Sequence, residues 1–285
     1  MLIDFHTHCF PEKIAARAIE KLSFASGGLI NYTDGTAGGL KRAMADEGVT
    51  SSVVLNIATN AHQMKNVNDF AASINDKKAL FAFGSVHPDA ADAADELSRI
   101  REMGLLGVKF HPEYQDFFVD DEKMFPIYEK ISELGLITVF HMGADYGYGG
   151  VCHCTPAALE KARNLFRGEH CTRMLLSADL ASEGADAPVV AAHWGGLSMW
   201  DEVLAHLAGQ KNLFIDTSFG YGQLPRESAI KIVEKHGVEN MLFATDSPWH
   251  TPSLEKRFIA TLGLSEGEKE LLYHENAEKL LGIKR

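Results

Sequence analysis

The chain has 285 residues, 46% of them hydrophobic, enough for one large core of barrel size or for two smaller ones. A formal net charge of -12, from 27 basic and 39 acidic residues, argues against nucleic acid as a partner, since phosphate backbones are held by clustered Lys and Arg. No stretch approaches the roughly 20 apolar residues that span a bilayer, and the start MLIDFHTH lacks the basic and apolar regions of a signal peptide, so the expectation is a cytoplasmic protein with no membrane partner.

The first predicted strand, Leu2 to His6, has an apolar lead-in and delivers His6 and His8 at alternate positions. Alternate residues of a strand share a face, so the two imidazoles can converge on one ion with Asp4 behind them. The competing reading is a strand start with two solvent-facing histidines. Further apolar, β-rich runs follow at Ser52 to Ile57, Leu80 to Val86, Gly107 to His111, Ile137 to Met142, Val189 to His193, Leu213 to Thr217 and Met241 to Thr245. Runs apolar on both faces are expected of strands buried on both sides. Between them lie periodic, charged segments, Ala90 to Met103, Lys123 to Leu134, Thr155 to Phe166 and Ser228 to His236, with Gly104, Gly135, Gly168 and Gly237 soon after their ends. The tail from Ser265 to Leu281 reads as terminal helices. Alternating strands and helices predict an α/β fold, a closed (β/α)8 barrel in a single domain over 1–285, with an open doubly wound sheet as the competitor. Two connections are enlarged, Cys9 to Gly48 and Gly143 to Pro188, both at the end where a barrel keeps its active site.

Four cysteines, Cys9, Cys152, Cys154 and Cys171, do not make a disulfide framework in a chain of this length. Cys152-His153-Cys154 lacks zinc-finger spacing and reads as ordinary loop residues. The informative polar residues stand at the ends of the predicted strands: Lys109 and His111, His141, His193, and Asp246. In a barrel these ends share one rim, so His6, His8, His141, His193 and Asp246 can meet despite their separation in sequence. Imidazoles with a carboxylate suit Zn2+, which needs three or four protein ligands and an open position.

The Asp4-x-His6-x-His8 start, His141, His193-Trp194-Gly195-Gly196, Thr245-Asp246-Ser247-Pro248 and the late Glu275-Asn276-Ala277-Glu278-Lys279-Leu280-Leu281 segment together span nearly the whole chain. In this ordered set the chain resembles the amidohydrolase superfamily, and more closely its metal-dependent branch that includes aminocarboxymuconate-semialdehyde decarboxylase and many predicted hydrolases. The resemblance implies a distorted TIM barrel with one divalent metal, commonly zinc, held by His6, His8, His141 and Asp246, and His193 as general acid or base. Asp246 would share its ligand role with proton transfer. A metal-lowered water pKa near 7 calls for such a titratable neighbour. Some relatives carry a carboxylated lysine on the fourth strand that bridges two metals. Lys109 lies on that strand, so a second metal is one reading, a cation that binds a substrate carboxylate is another, and a structural salt bridge is the third. His111 shares a face with Lys109 and is a candidate substrate contact.

The remaining histidines are expected to be structural: His87 in turn geometry, and His62, His170, His206, His236 and His274 on the surface. Trp194, Trp249, Tyr146 and Tyr148 are candidates for a pocket wall or for packing, and Arg226 for an anionic substrate against a solvated surface arginine. The expected function is a metal-dependent hydrolase of a small carbonyl, amide or lactone substrate. The alternatives are a non-oxidative decarboxylase of an unsaturated or aromatic carboxylic acid, and a catalytically silent binding module. The expected partner is a small molecule, with a homodimer suggested because relatives are often dimers.

Overall fold

All eight expected strands form: β1 (Ile3–Thr7), β2 (Ser51–Leu55), β3 (Leu80–Phe83), β4 (Gly107–Phe110), β5 (Ile137–Phe140), β6 (Val189–Ala191), β7 (Leu213–Asp216) and β8 (Met241–Leu242). The computed structural model describes residues 1–166 and 187–283; Gly168, His170, Cys171 and the later part of the fifth connection lie outside them. The strands are parallel throughout, in the orders β1-β2-β3 and β4-β5-β6-β7-β8. Two backbone seams join these groups. Gly84 donates to Gly107 O at 2.9 Å and accepts from Lys109 N at 2.8 Å. On the other side Phe5 N meets Phe243 O at 2.8 Å, Asp246 N meets His6 O at 2.8 Å and Thr7 bridges to Ser247. The result is a TIM barrel, with sequential strands as neighbours and the last beside the first.

Strand alternation divides the core in two. Ile3, Phe5, Val53, Leu55, Phe81, Phe83, Ile137, Val139, Val190, Ala192, Leu242 and Ala244 form one cluster inside the ring, closed at its base by Ala277 and Leu281 of the terminal helix Asn276–Leu281. The intervening strand residues, among them Val54, Ala82, Val108, Phe110 and Phe140, pack outward against the helices in a second, larger cluster. In β4, β5, β6 and β8 the ladder stops before the polar end of the apolar run, so His111, His141, His193 and Asp246 stand just past the strands.

The enlarged first connection holds α1 (Glu12–Ala25) and α2 (Ala37–Glu47), and α3 (Met64–Ile74) follows β2. The Thr36 hydroxyl caps α2 by accepting from Gly39 N, and Gly48 ends it in the left-handed conformation. His236 and His274 are buried rather than on the surface as expected. Each finds a polar partner that lets a helical histidine turn inward: His236 accepts from Gly209 N, and His274 pairs with Glu270. No helix among the described residues is long and apolar enough to cross a membrane.

Candidate active site

Continuing the interior alternation past each strand end explains most of the site. Lys109 lies two residues after Gly107 and His111 two after Lys109, His141 two after Val139, and Asp246 two after Ala244, each bordering the cavity at the top of the barrel. His6 and His8 are out of phase with the interior residues Ile3 and Phe5. They reach the cavity because the register slips between Asp4, opposite Ser52, and Thr7, opposite Val54. The extra residue is a β-bulge, which turns the following side chains to the other face. Asp4 does not share their direction as simple alternation predicts. It is buried and accepts from Thr245 Oγ1 at 2.6 Å, Thr245 N at 3.0 Å and His6 N at 3.2 Å, pinning β1 to the end of the eighth strand. His193 is also out of phase, and there the backbone turns left-handed at His193, Trp194 and Gly195.

The donor set at the base is specific. His6 Nδ1 lies 2.8 Å from Asp216 Oδ2 and His8 Nδ1 lies 2.8 Å from Leu55 O. Both partners only accept, so both Nδ1 atoms carry the proton and, in the neutral rings, both Nε2 atoms are bare. Those two atoms are 3.1 Å apart, and 3.2 and 3.0 Å from Asp246 Oδ1. Two lone pairs and a carboxylate oxygen at this spacing repel unless a cation or a shared proton lies among them. His6, His8 and Asp246 therefore fit a divalent metal, and the nitrogen-rich set suits Zn2+ or a similar first-row ion.

His193 is held by a relay. Ser218 Oγ donates to Asp216 Oδ1 at 2.6 Å and so accepts from His193 Nδ1 at 2.9 Å. Nε2 of His193 therefore carries no proton and accepts from His141 Nδ1 at 2.9 Å. His141 borders the same cavity, but among the described residues its ligating atoms group with His111 and Asp145 and not with His6, His8 and Asp246; it is linked to that trio through His193, whose ring centroid is 5.0 Å from that of His6. The other nitrogen of His141, Nε2, is buried without a hydrogen-bond partner among the described residues, 3.7 Å from Asp145 Oδ2. His111 is stacked between Tyr114 and His141, at 3.8 and 4.0 Å between centroids. Burial holds His6, His111, His141 and His193 well below the usual imidazole range and raises Asp246.

Asp216 and Ser218 escaped the sequence reading, as did Asp145 and Tyr114. The signal for Asp216 was present: a carboxylate at the end of an apolar strand, in phase with Phe214. Asp216 fixes the tautomer of His6 and accepts from His193 N at 3.0 Å. Asp216→Asn is expected to weaken metal affinity by about 10–100-fold, as loss of a supporting carboxylate does, in competition with a chromophoric chelator. Unchanged affinity would deny Asp216 that role.

Lys109 is 1% exposed and its Nζ has no hydrogen-bond partner among the described residues, so the salt-bridge reading does not hold. Burial lowers its pKa to about 8. Below pH 8 the amine is charged in both folded and unfolded chains, and the folded state carries the cost of burying it. Between about 8 and the ordinary lysine value near 10.4 the unfolded chain binds more protons, so stability rises with pH across that window. Lys109→Met is expected to flatten this rise and to stabilise the protein near pH 7 by about 1–3 kcal/mol, measured by urea unfolding at several pH values. An unchanged slope would count against a buried amine.

Other candidates fall away from the cavity. Arg226 Nε donates to Thr261 O at 2.7 Å and does not border it. Cys152, His153 and Cys154 are spent on Gly143 O, Pro112 O and Met142 Sδ respectively. His87 accepts from Asp89 N in a turn. Trp194 is fully buried and donates to Thr217 O at 2.8 Å, whereas Trp249 and Tyr146 do line the cavity.

The family model described as Amidohydrolase matches residues 3–283. No curated protein matches the sequence. Among solved structures, the chain is similar to 5-carboxyvanillate decarboxylase from Sphingomonas paucimobilis, with 17% identity, 99% of each chain covered and a TM-score of 0.67. It is similar to a dihydroxybenzoic acid decarboxylase from a Polaromonas species with bound manganese and the inhibitor 2-nitroresorcinol, at 14% identity, with 100% of this chain and 97% of that one covered and a TM-score of 0.66. A candidate 2-pyrone-4,6-dicarboxylic acid hydrolase from Pseudomonas putida is similar at 16% identity, with 100% and 98% covered and a TM-score of 0.68.

Proposed function

Because the chain belongs to the amidohydrolase family, we propose that it is a metal-dependent hydrolase of a small carbonyl, amide or lactone substrate. The observation that carries this reading is the convergence of His6 Nε2, His8 Nε2 and Asp246 Oδ1 within 3.0–3.2 Å of one another. His6, His8, Asp246 and the neighbouring His141 would hold the ion, most simply Zn2+. A divalent cation there supplies a Lewis acid and brings the pKa of water toward neutrality. His193 takes up or returns a proton at Nε2, kept neutral by burial and aimed by Ser218 and Asp216. Asp246 shares in proton movement, and Lys109 and His111 meet the polar end of the substrate.

A second reading, non-oxidative decarboxylation, is supported by the predominantly apolar cavity walls and by relatives that are decarboxylases of aromatic acids. The same site would then bind an unsaturated or aromatic acid, and His193 or Asp246 would deliver a proton to carbon as carbon dioxide leaves. Turnover of a panel of lactones, amides and aryl acids in 18O-labelled water, with carbon dioxide trapped, separates the two. Label in the product without carbon dioxide supports hydrolysis; carbon dioxide with no net uptake of water supports decarboxylation. Activity untouched by metal removal and readdition would overturn both.

A further inference from the structure

The cavity is larger and more apolar than its histidine base requires. It encloses about 450 Å3, the share of liquid volume taken by roughly 15 waters. Its outer walls come from α1 and α3. The first of these buries Ala15 and Ile19 on one face, while Ile14, Ala18 and Leu22, four residues apart, border the cavity together with Lys21. Ile14 is 51% exposed, so among the described residues this second face has no packing partner that fully covers it. Val67 and Phe70 of α3 line the same space. At the inner end the buried Nζ of Lys109 borders the cavity without a hydrogen-bond partner among the described residues. A small hydrophilic substrate would leave these walls wet; one with an apolar body would cover them.

We infer that the ligand of this site is a carboxylic acid bearing an extended apolar chain or ring system. Its carboxylate meets Lys109 near the histidines, and its apolar body lies along Ile14, Ala18, Leu22, Val67 and Phe70. The inference rests on the reading of this cavity as the substrate site, but not on the metal. Calorimetric titration with ω-phenylalkanoates, from benzoate to 6-phenylhexanoate, tests it on metal-loaded and metal-stripped protein. Each added methylene is expected to tighten binding about fourfold, the equivalent of roughly 0.8 kcal/mol, until the cavity is full. Ala18→Trp, which fills the wall, and separately Ile14→Glu, which charges a partly exposed position, should abolish the dependence on chain length while metal content stays the same. Lys109→Met should weaken the whole series by one common factor. A flat series, or a length dependence that survives both wall variants, would overturn the inference. A length dependence shared by stripped and loaded protein supports it even where elemental analysis finds no metal, so the two readings fail separately.

Discussion

Replacing His8 with alanine is expected to strip most of the divalent metal from the protein while leaving the barrel folded. His8 supplies one of the three converging atoms, and loss of a direct donor should exceed the roughly 10–100-fold in affinity that loss of a supporting group costs. The structural penalty is small by comparison. The side chain is 14% exposed and among the described residues its one backbone partner is Leu55 O, so the lost hydrogen bond costs about 1 kcal/mol against a typical domain stability of about 5–15 kcal/mol. The substitution also removes one of the mutually repelling lone pairs, which favours the metal-free fold. Elemental analysis and circular dichroism on the same sample check both halves, and undiminished metal content would remove His8 from the donor set.

His193→Gln is expected to lower kcat by about 10²–10⁴-fold, the usual contribution of a positioned acid or base, with metal content retained. The imidazole is aimed by a chain of bonds from Asp216 through Ser218 to Nδ1, and burial keeps it neutral. At neutral pH Nε2 is therefore unprotonated, with His141 Nδ1 as its partner, and can take up a proton as that contact opens. Glutamine preserves much of the volume and can still meet Ser218, but it does not titrate. If the variant loses metal as His8→Ala does, His193 is a ligand and its place as proton carrier goes to Asp246.

Much of this site was legible because a barrel places strand ends on one rim, so a polar residue ending an apolar run is informative by position alone. Lys109, His111, His141 and Asp246 follow from that rule and from alternation. His6 and His8 were identified from their spacing, yet the reason they face inward, the bulge after Asp4, lies in pairing with β2 and is invisible in β1 alone. His193 likewise depends on a left-handed turn that no period of two describes. Asp216 was passed over because a lone carboxylate in Ile215-Asp216-Thr217 matches no ligand spacing; its importance comes from partners more than 200 residues away in His6 and 23 away in His193. The burial of His236 and His274 is not legible in the sequence, because helical periodicity does not say whether a neighbouring loop or carboxylate is there to receive an inward ring.

The seam between the first and eighth strands has a consequence for how the enzyme is made. Phe5 N meets Phe243 O, and the atoms of His6 and His8 find Asp246 only across that junction. A ribosome that has released the first two hundred residues has synthesised both imidazoles but not the carboxylate that completes their trio, and such distant pairings form late. The trio that would hold a divalent cation is thus expected to be complete only once the eighth strand has been synthesised and has closed against the first.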